Sequence, residues 1–156
     1  MSILFELERM ERLADDLNQL RRPVRIPVSH YKRMEGKENG SPWCCTDEWE
    51  DCAIEEPWGS LDSHRWYRTT VKIPTHLDGA HVEFLITTGR EGQWDATNPQ
   101  MLFYLNGSIV QGVDVNHREI MISPGARAGE SYEIAILAYS GSVPGDLIIR
   151  TELVRV

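Results

Sequence analysis

The spacing of apolar residues changes at Pro23 and divides the chain into two parts. Before it, apolar side chains recur at steps of three and four, which places them on one stripe of an α-helix opposite a charged face. Pro23 ends this pattern. The sequence therefore predicts an amphipathic helix of about five turns within residues 1–22, packed either on its own domain or on a partner. The stripe consists of Ile3, Leu4, Leu7, Met10, Leu13, Ala14, Leu17 and Leu20.

Beyond Pro23 the apolar period falls to two, and turn residues separate the apolar runs. Pro27 lies inside the first run and cannot donate to a ladder, which predicts an edge strand. Asn106-Gly107 separates two runs and predicts a hairpin with a type I′ turn. The last run is apolar on both faces, so we expect it to be central in its sheet. The predicted strands are 24–28, 66–73, 82–86, 101–105, 108–113, 120–122, 132–138 and 146–156.

Eight short strands predict a mostly β domain over residues 23–156, a β-sandwich or jelly roll that follows the N-terminal amphipathic helix. Residues 43–59 have no clean period, and we expect them to be irregular. The chain stops within an apolar strand, so we expect it to be an N-terminal part of a longer protein.

Charge and cysteine content narrow the class of partner. The net charge is −8, from 24 acidic and 16 basic residues, which disfavours nucleic acid and anionic membranes as partners. No apolar run approaches the roughly 20 residues of a membrane span. The first ten residues alternate apolar side chains with charges, so we expect no secretory signal. An odd cysteine count predicts a reducing, cytoplasmic location. Cys44, Cys45 and Cys52 lack the Cys-x-x-Cys spacing of zinc sites, and their state is left open.

Motifs for phosphate binding and serine hydrolysis are missing from the sequence, which has neither a Gly-rich phosphate loop nor a Gly-x-Ser-x-Gly elbow. His76 and Asp78 lie between Pro74 and Gly79, where a solvated turn is expected. We therefore predict that this chain contains no catalytic residue and no metal ligand, and that it binds no cofactor.

The densest polar cluster directly follows the predicted hairpin. Asp114 and His117 have the residue types of an acid–base pair in which the carboxylate orients the imidazole. Alternatively, Asp114, Asn116 and His117 satisfy loop backbone groups while Arg118 pairs with an acid inside the fold. A third reading is a binding or docking loop. The candidate residues are Asp114, Asn116, His117, Arg118 and Glu119.

Five tryptophans are many for this length, and sugar faces stack on aromatic rings. Trp66 opens a strand, so core or inter-sheet packing is expected for it. Trp58 and Trp94 lie in predicted loops, where packing and contact with a partner, including a sugar, both remain open.

Three stretches of the chain together carry a family resemblance: Pro57-Trp58-Gly59 with 64–71, Asn98-Pro99-Gln100 with Tyr104-Leu105-Asn106-Gly107, and 110–119. In this order they resemble the N-terminal region of bacterial and fungal-vacuolar-type α-mannosidases of glycoside hydrolase family 38. The resemblance implies a galactose-binding-like β-sandwich ahead of a catalytic barrel, in a retaining, zinc-dependent hydrolase of α-linked mannose. The family's nucleophile and zinc ligands belong to that barrel, and His76-Leu77-Asp78 lacks the Gly-His-x-His-x-Asp context of its metal motif.

Taken with the residues, the resemblance favours a non-catalytic domain that packs against the catalytic domain of the same chain or a sister subunit. The loop from Asp114 to Glu119 is the expected contact, and a homo-oligomer is left open. The alternative is an autonomous carbohydrate-binding module using Trp58, Trp94 and Asp114. Independent enzymatic activity of these residues is not expected.

Overall fold

The computed structural model describes residues 3–36, 49–91, 99–141 and 147–156, so Trp94, Cys44 and Cys45 lie outside the described residues. Within these ranges the chain forms one α-helix, ten strands and a short 3₁₀ turn at Thr75–Leu77. The helix α1 spans Ile3–Arg21. The strands are β1 (Val24–Pro27), β2 (His30–Glu35), β3 (Glu50–Ala53), β4 (Ser63–Lys72), β5 (Val82–Thr87), β6 (Gln100–Leu105), β7 (Ser108–Val113), β8 (Glu119–Ser123), β9 (Ser131–Ser140) and β10 (Arg150–Arg155).

The strands form two antiparallel sheets, which confirms the predicted β-sandwich. The four-stranded sheet has the order β1-β10-β5-β8, and the six-stranded sheet has the order β3-β2-β4-β9-β6-β7. β1 lies at an edge of its sheet, as predicted. The missing backbone N–H of Pro27 therefore does not remove a hydrogen bond from the interior of the sheet. β10 lies between β1 and β5, as its two apolar faces predict.

The core lies between the two sheets and is built from alternate residues of the strands. Tyr67, Val71 and Ile73 face it from one side of β4 and its end, as the period of two predicts. Phe84 of β5 and Phe103 of β6 meet across the interior with ring centroids 5.3 Å apart, and both are fully buried. The interior therefore joins the two sheets through large apolar side chains.

A second apolar cluster covers part of the outer face of the six-stranded sheet. Trp66 is fully buried there, beside Leu137 and 5.3 Å from the ring of Tyr104. It is buried as expected, but it lies on the face opposite Tyr67 and does not pack between the sheets. Gly36 approaches the same ring so closely that a methyl group built at its Cα would lie 2.9 Å from Trp66 Cδ1.

Two strands escaped the sequence prediction. β2 and β3 pair with each other at one edge of the six-stranded sheet, and β3 lies within the segment expected to be irregular. β3 has the sequence Glu-Asp-Cys-Ala, and only Cys52 is part-buried. Backbone pairing and exposed ion pairs such as Arg33–Glu50, at 3.4 Å, hold this edge. An edge strand without a buried face has no hydrophobic alternation to detect.

The turn of the predicted hairpin has the expected geometry. Asn106 and Gly107 have φ values of 48° and 89°, the positive pair that a type I′ turn requires. The Asn106 side-chain oxygen also accepts a hydrogen bond from the Glu133 amide at 2.9 Å, which ties the turn to β9. The hairpin of β6 and β7 is therefore rigidly placed beside the rest of its sheet.

The helix α1 forms as predicted, but its apolar stripe is not covered by the sandwich. Five large apolar side chains of the stripe, and Phe5 beside it, are each more than half exposed. The exposed fractions are 61% for Phe5, 52% for Leu7, 67% for Met10, 53% for Leu13, 66% for Leu17 and 75% for Leu20. Among the described residues, no helix is both long enough and apolar enough to cross a membrane.

Candidate functional site

The polar cluster singled out from the sequence lies on the connection between the two sheets. It follows β7, at the edge of the six-stranded sheet, and leads into β8, at the edge of the four-stranded sheet. The chain therefore crosses from one layer to the other through residues 114–118. Both ends of this loop are held by paired strands.

Asp114 fixes the conformation of the loop. Its Oδ1 accepts hydrogen bonds from the backbone amides of Asn116 and His117, both at 2.8 Å, and lies 3.0 Å from Nδ1 of His117. Burial alone raises the pKa of Asp114, but the two backbone amides and the imidazole outweigh it, so the pKa lies below its usual range. Asp114 therefore serves the loop as an ionised cap.

The acid–base pair considered from the sequence exists as a contact, on the surface. The His117 side chain is 71% exposed, and Asn116 is exposed as well. The carboxylate oxygen nearest the ring already accepts two backbone hydrogen bonds. The arrangement thus presents an oriented imidazole and an amide to whatever lies outside the domain.

Arg118 points to a neighbouring loop of the same domain. Its Nη1 lies 3.6 Å from Oε1 of Glu91, which also accepts from the amide and hydroxyl of Thr88 at 2.6 and 3.0 Å. Burial raises the pKa of Glu91, but the Thr88 hydrogen bonds and the Arg118 charge bring it below its usual range. The internal acid partner considered for Arg118 is therefore Glu91.

Glu119 is also held inside the domain, by a residue that the sequence did not single out. Nη2 of Arg22 lies 2.6 Å from Oε1 of Glu119 and 3.8 Å from Glu83. The Arg22 side chain is 6% exposed. Burial raises the pKa of Glu119, but the Arg22 hydrogen bond and the charges of Arg22 and Arg118 lower it below its usual range. Arg22 and Glu119 are 97 positions apart, so no local pattern predicts the pair.

Trp58 is a core residue and has no exposed ring face for a sugar. Its backbone pairs with Leu147, through hydrogen bonds of 3.0 and 2.9 Å, and its side chain is 4% exposed. The indole packs edge-on against Tyr67 at 6.2 Å. This is a correction to the partner-contact alternative, because the bridge to Leu147 turns the side chain into the sandwich. Trp94, the other loop tryptophan, falls in a range that the structure does not describe.

A groove of about 640 Å³ opens beside Asp114, at the ends of β4, β6, β7 and β9. Leu102 and Leu137 contribute apolar surface to it. On its rim the rings of His64 and Tyr139 lie 4.6 Å apart, and the Tyr139 hydroxyl donates to Asp62 at 3.0 Å. None of these rim residues except Asp114 was predicted as a site, because they come from separate strands. Within the described ranges, no group of three or more His, Cys, Asp or Glu side chains is placed to hold a metal ion.

Comparison with known proteins bears on both the family and the fold. Residues 22–142 match a family model described as "Alpha-mannosidase, jelly roll domain". No curated protein sequence matches the chain.

Solved structures similar to this chain include two β-glucuronidases. The enzyme from Ruminococcus gnavus, in complex with N1-substituted uronic isofagomine, has a TM-score of 0.60 at 8% identity over 85% of this chain and 30% of its own. That from Faecalibacterium prausnitzii has a TM-score of 0.59 at 10% identity over 84% and 31%. This chain thus spans about a third of either structure, and at such identities the likeness concerns the fold alone.

Proposed function

Because the chain belongs to the α-mannosidase jelly-roll domain family, we propose that it is the non-catalytic N-terminal β-sandwich of a cytoplasmic α-mannosidase of glycoside hydrolase family 38. Its role is to pack against the catalytic domain of the same chain or against a sister subunit. In this proposal the catalytic carboxylates and the zinc belong to the catalytic domain. The family match, which covers most of the chain, is the observation that carries the proposal.

The loop of residues 114–119 supports the docking role. Docking favours side chains that are exposed but already fixed, because less conformational freedom is then lost on contact. The cap by Asp114 fixes the backbone of Asn116 and His117, and both side chains face solvent. Arg118 and Glu119 anchor the same loop to Glu91 and Arg22. The loop therefore has a rigid base and two exposed side chains at its tip.

A double variant of the full-length enzyme, Asn116→Ala with His117→Ala, tests the docking role. It retains the Asp114 cap and the strand ends, so the sandwich itself should fold. We expect a lower Tm and weaker hydrolysis of an aryl α-mannoside, because the contact that positions the domain is lost. His76→Ala, at another exposed turn, is the matched control and should leave both unchanged. An unchanged Tm and activity in the double variant would rule out this loop as the contact.

The second candidate function, carbohydrate binding, is favoured by the groove. Its rim combines the neighbouring rings of His64 and Tyr139, whose planes are tilted by 36°, with the carboxylates of Asp62 and Asp114, and it has apolar surface at Leu102 and Leu137. Aromatic faces with carboxylate acceptors suit the apolar ring faces and hydroxyl groups of a hexose.

Titration of this chain with mannose oligosaccharides, followed by NMR amide shifts, tests the second candidate. Shifts confined to the groove, and their loss in Tyr139→Ala, would support sugar binding. Tyr139→Phe serves as the conservative variant, since it keeps the ring and removes only the hydroxyl bonded to Asp62. A titration without shifts at millimolar sugar would remove this candidate and leave the docking role.

A further inference from the structure

The stripe of α1 is an apolar surface that the sandwich leaves uncovered, and six of the eleven large exposed apolar side chains in the described part of the chain lie on this helix. Five side chains of the stripe, Leu7, Met10, Leu13, Leu17 and Leu20, follow one another along the helix at exposures of 52–75%. Single exposed apolar residues are common in soluble proteins, whereas a continuous stripe marks an interaction surface. The opposite face of α1 is strongly charged, so the helix has one face suited to water and one suited to a partner.

We propose that α1 pairs with α1 of a second copy of this chain, as an antiparallel two-helix coil that makes the protein a homodimer. The spacing of the stripe supports this partner. Met10 and Leu17 are seven residues apart, and Leu13 and Leu20 follow each of them by three, which gives the a and d positions of two heptads. Leu7 widens the same face.

The position of Glu6 selects the antiparallel orientation. In this heptad Glu6 occupies a d position, so a parallel pair would bring the two Glu6 carboxylates against each other in the seam. An antiparallel pair centred between Met10 and Leu13 places Met10 of each helix against Leu13 of the other, and Glu6 opposite Leu17. Like charges facing each other are destabilising, so the antiparallel arrangement is favoured.

The charges beside the seam are complementary in the same arrangement. Arg9 and Asp16 occupy the two g positions, and g residues face g residues across an antiparallel coil. Each Arg9 then lies beside Asp16 of the other copy, and the two-fold axis generates this ion pair twice. A surface that complements itself in both apolar spacing and charge fits a second copy of the same helix.

Sedimentation equilibrium of this chain, over a range of concentrations at low salt, tests the dimer. We expect a monomer–dimer equilibrium for the unaltered chain and a monomer for Leu13→Glu. The core of the sandwich contains no stripe residue, so circular dichroism should show the β-sheet signal of Leu13→Glu intact. An unaltered chain that is monomeric at high micromolar concentration would overturn the proposal, as would a dimer that survives Leu13→Glu.

A charge-reversal cycle tests the orientation. Arg9→Asp and Asp16→Arg should each weaken the dimer about three- to tenfold in Kd, since each places like charges at both ion pairs. The double variant restores opposite charges in the antiparallel pair and should return Kd to within about threefold of the original. Asp15→Arg makes the same change on the outer face and is the matched control. A double variant as weak as its singles would exclude the antiparallel register.

These experiments are independent of the docking proposal. They alter only α1, whereas the docking variants alter the loop of residues 114–119. A catalytic domain that covers the stripe instead would give a monomeric chain here, and it would leave the loop result unchanged.

Discussion

The helix stripe and the interior of the sandwich present the same kind of pattern in the sequence but meet different surroundings in the structure. Phe84 and Phe103 are fully buried between the sheets, whereas Leu13 and Leu20 of α1 are 53% and 75% exposed. In both regions the periodicity correctly identifies the apolar face. The difference teaches that a period reveals which face of an element needs to be covered, and that the covering partner must be identified from three-dimensional structure.

The largest loss of stability from a single substitution is expected in the core between the two sheets. Phe84→Ala removes a fully buried ring that contacts Phe103 at a centroid distance of 5.3 Å. We expect the free energy of unfolding to fall by about 3–5 kcal/mol, because a cavity is left where both sheets contribute atoms. Urea unfolding followed by tryptophan fluorescence measures it. A loss below about 1 kcal/mol would mean that the core is not packed as described.

A smaller but distinctive effect is expected at Arg22, which joins the end of α1 to the four-stranded sheet. Arg22→Ala leaves the Glu119 and Glu83 carboxylates without their shared buried cation. Since both acids retain some contact with water, we expect a loss of about 2–3 kcal/mol, below the range for a fully buried pair. Arg25→Ala, which breaks an exposed pair with Glu152, is the matched control and should cost less than about 1 kcal/mol.

The pH dependence of stability should report on the same contact. The folded pKa of Glu119 is lowered, so its stabilising contribution is fully present above the ordinary glutamate pKa of about 4.3 and is lost as pH falls through the folded value. The unaltered chain should therefore lose more stability on acidification than Arg22→Ala does. Unfolding midpoints measured from pH 7 downward compare the two, and parallel curves would contradict the assignment.

A loss of stability is also expected from a substitution on the outer face of the six-stranded sheet. In Gly36→Ala the new methyl group would lie 2.9 Å from Trp66, whose side chain is fully buried and cannot easily move. We expect a loss of about 1–3 kcal/mol from this overpacking. Gly112→Ala meets no atom within 4 Å and should change little. Equal thermal stability of the two variants would show that Trp66 is free to shift.

The sequence predicted α1 and the eight strands that show a regular apolar period, and it missed β2 and β3. In β2 the two buried residues, Tyr31 and Met34, are three positions apart and lie on opposite faces of the strand, so they give no period of two. All eight predicted strands exist, and Pro27 and Asn106-Gly107 fall at the edge and the turn that their chemistry indicates. β3 escaped because its side chains are mostly exposed and it is held by backbone pairing. A local pattern contains no information about such a strand.

The contacts of the candidate site also divide into local ones, which the sequence indicates, and long-range ones, which it does not. The Asp114 contacts are local, within three residues, and the residue types alone allowed the Asp114–His117 pair to be considered. The Arg22–Glu119 pair and the His64–Tyr139 ring contact join distant positions, and only the sheet topology brings them together. Trp58 looked like a loop residue because its single bridge to Leu147 forms no strand run.

The smallest expected loss of stability is that of Leu17→Ala in the helix stripe. It gives the most direct contrast with the interior of the sandwich, because a leucine can be changed to alanine in both regions. Leu153→Ala removes a leucine that is 3% exposed and should cost about 2–5 kcal/mol, whereas Leu17→Ala removes one that is 66% exposed. In dilute solution, where the chain is monomeric, Leu17→Ala should change the free energy of unfolding by less than about 0.5 kcal/mol. If α1 pairs with a second copy, this difference should grow with protein concentration, because association stabilises only the folded chain that carries an intact stripe. Thermal unfolding of the unaltered chain and of Leu17→Ala, at two protein concentrations a hundredfold apart, shows whether this difference grows. A large loss in dilute solution would mean that the stripe is covered within its own domain after all.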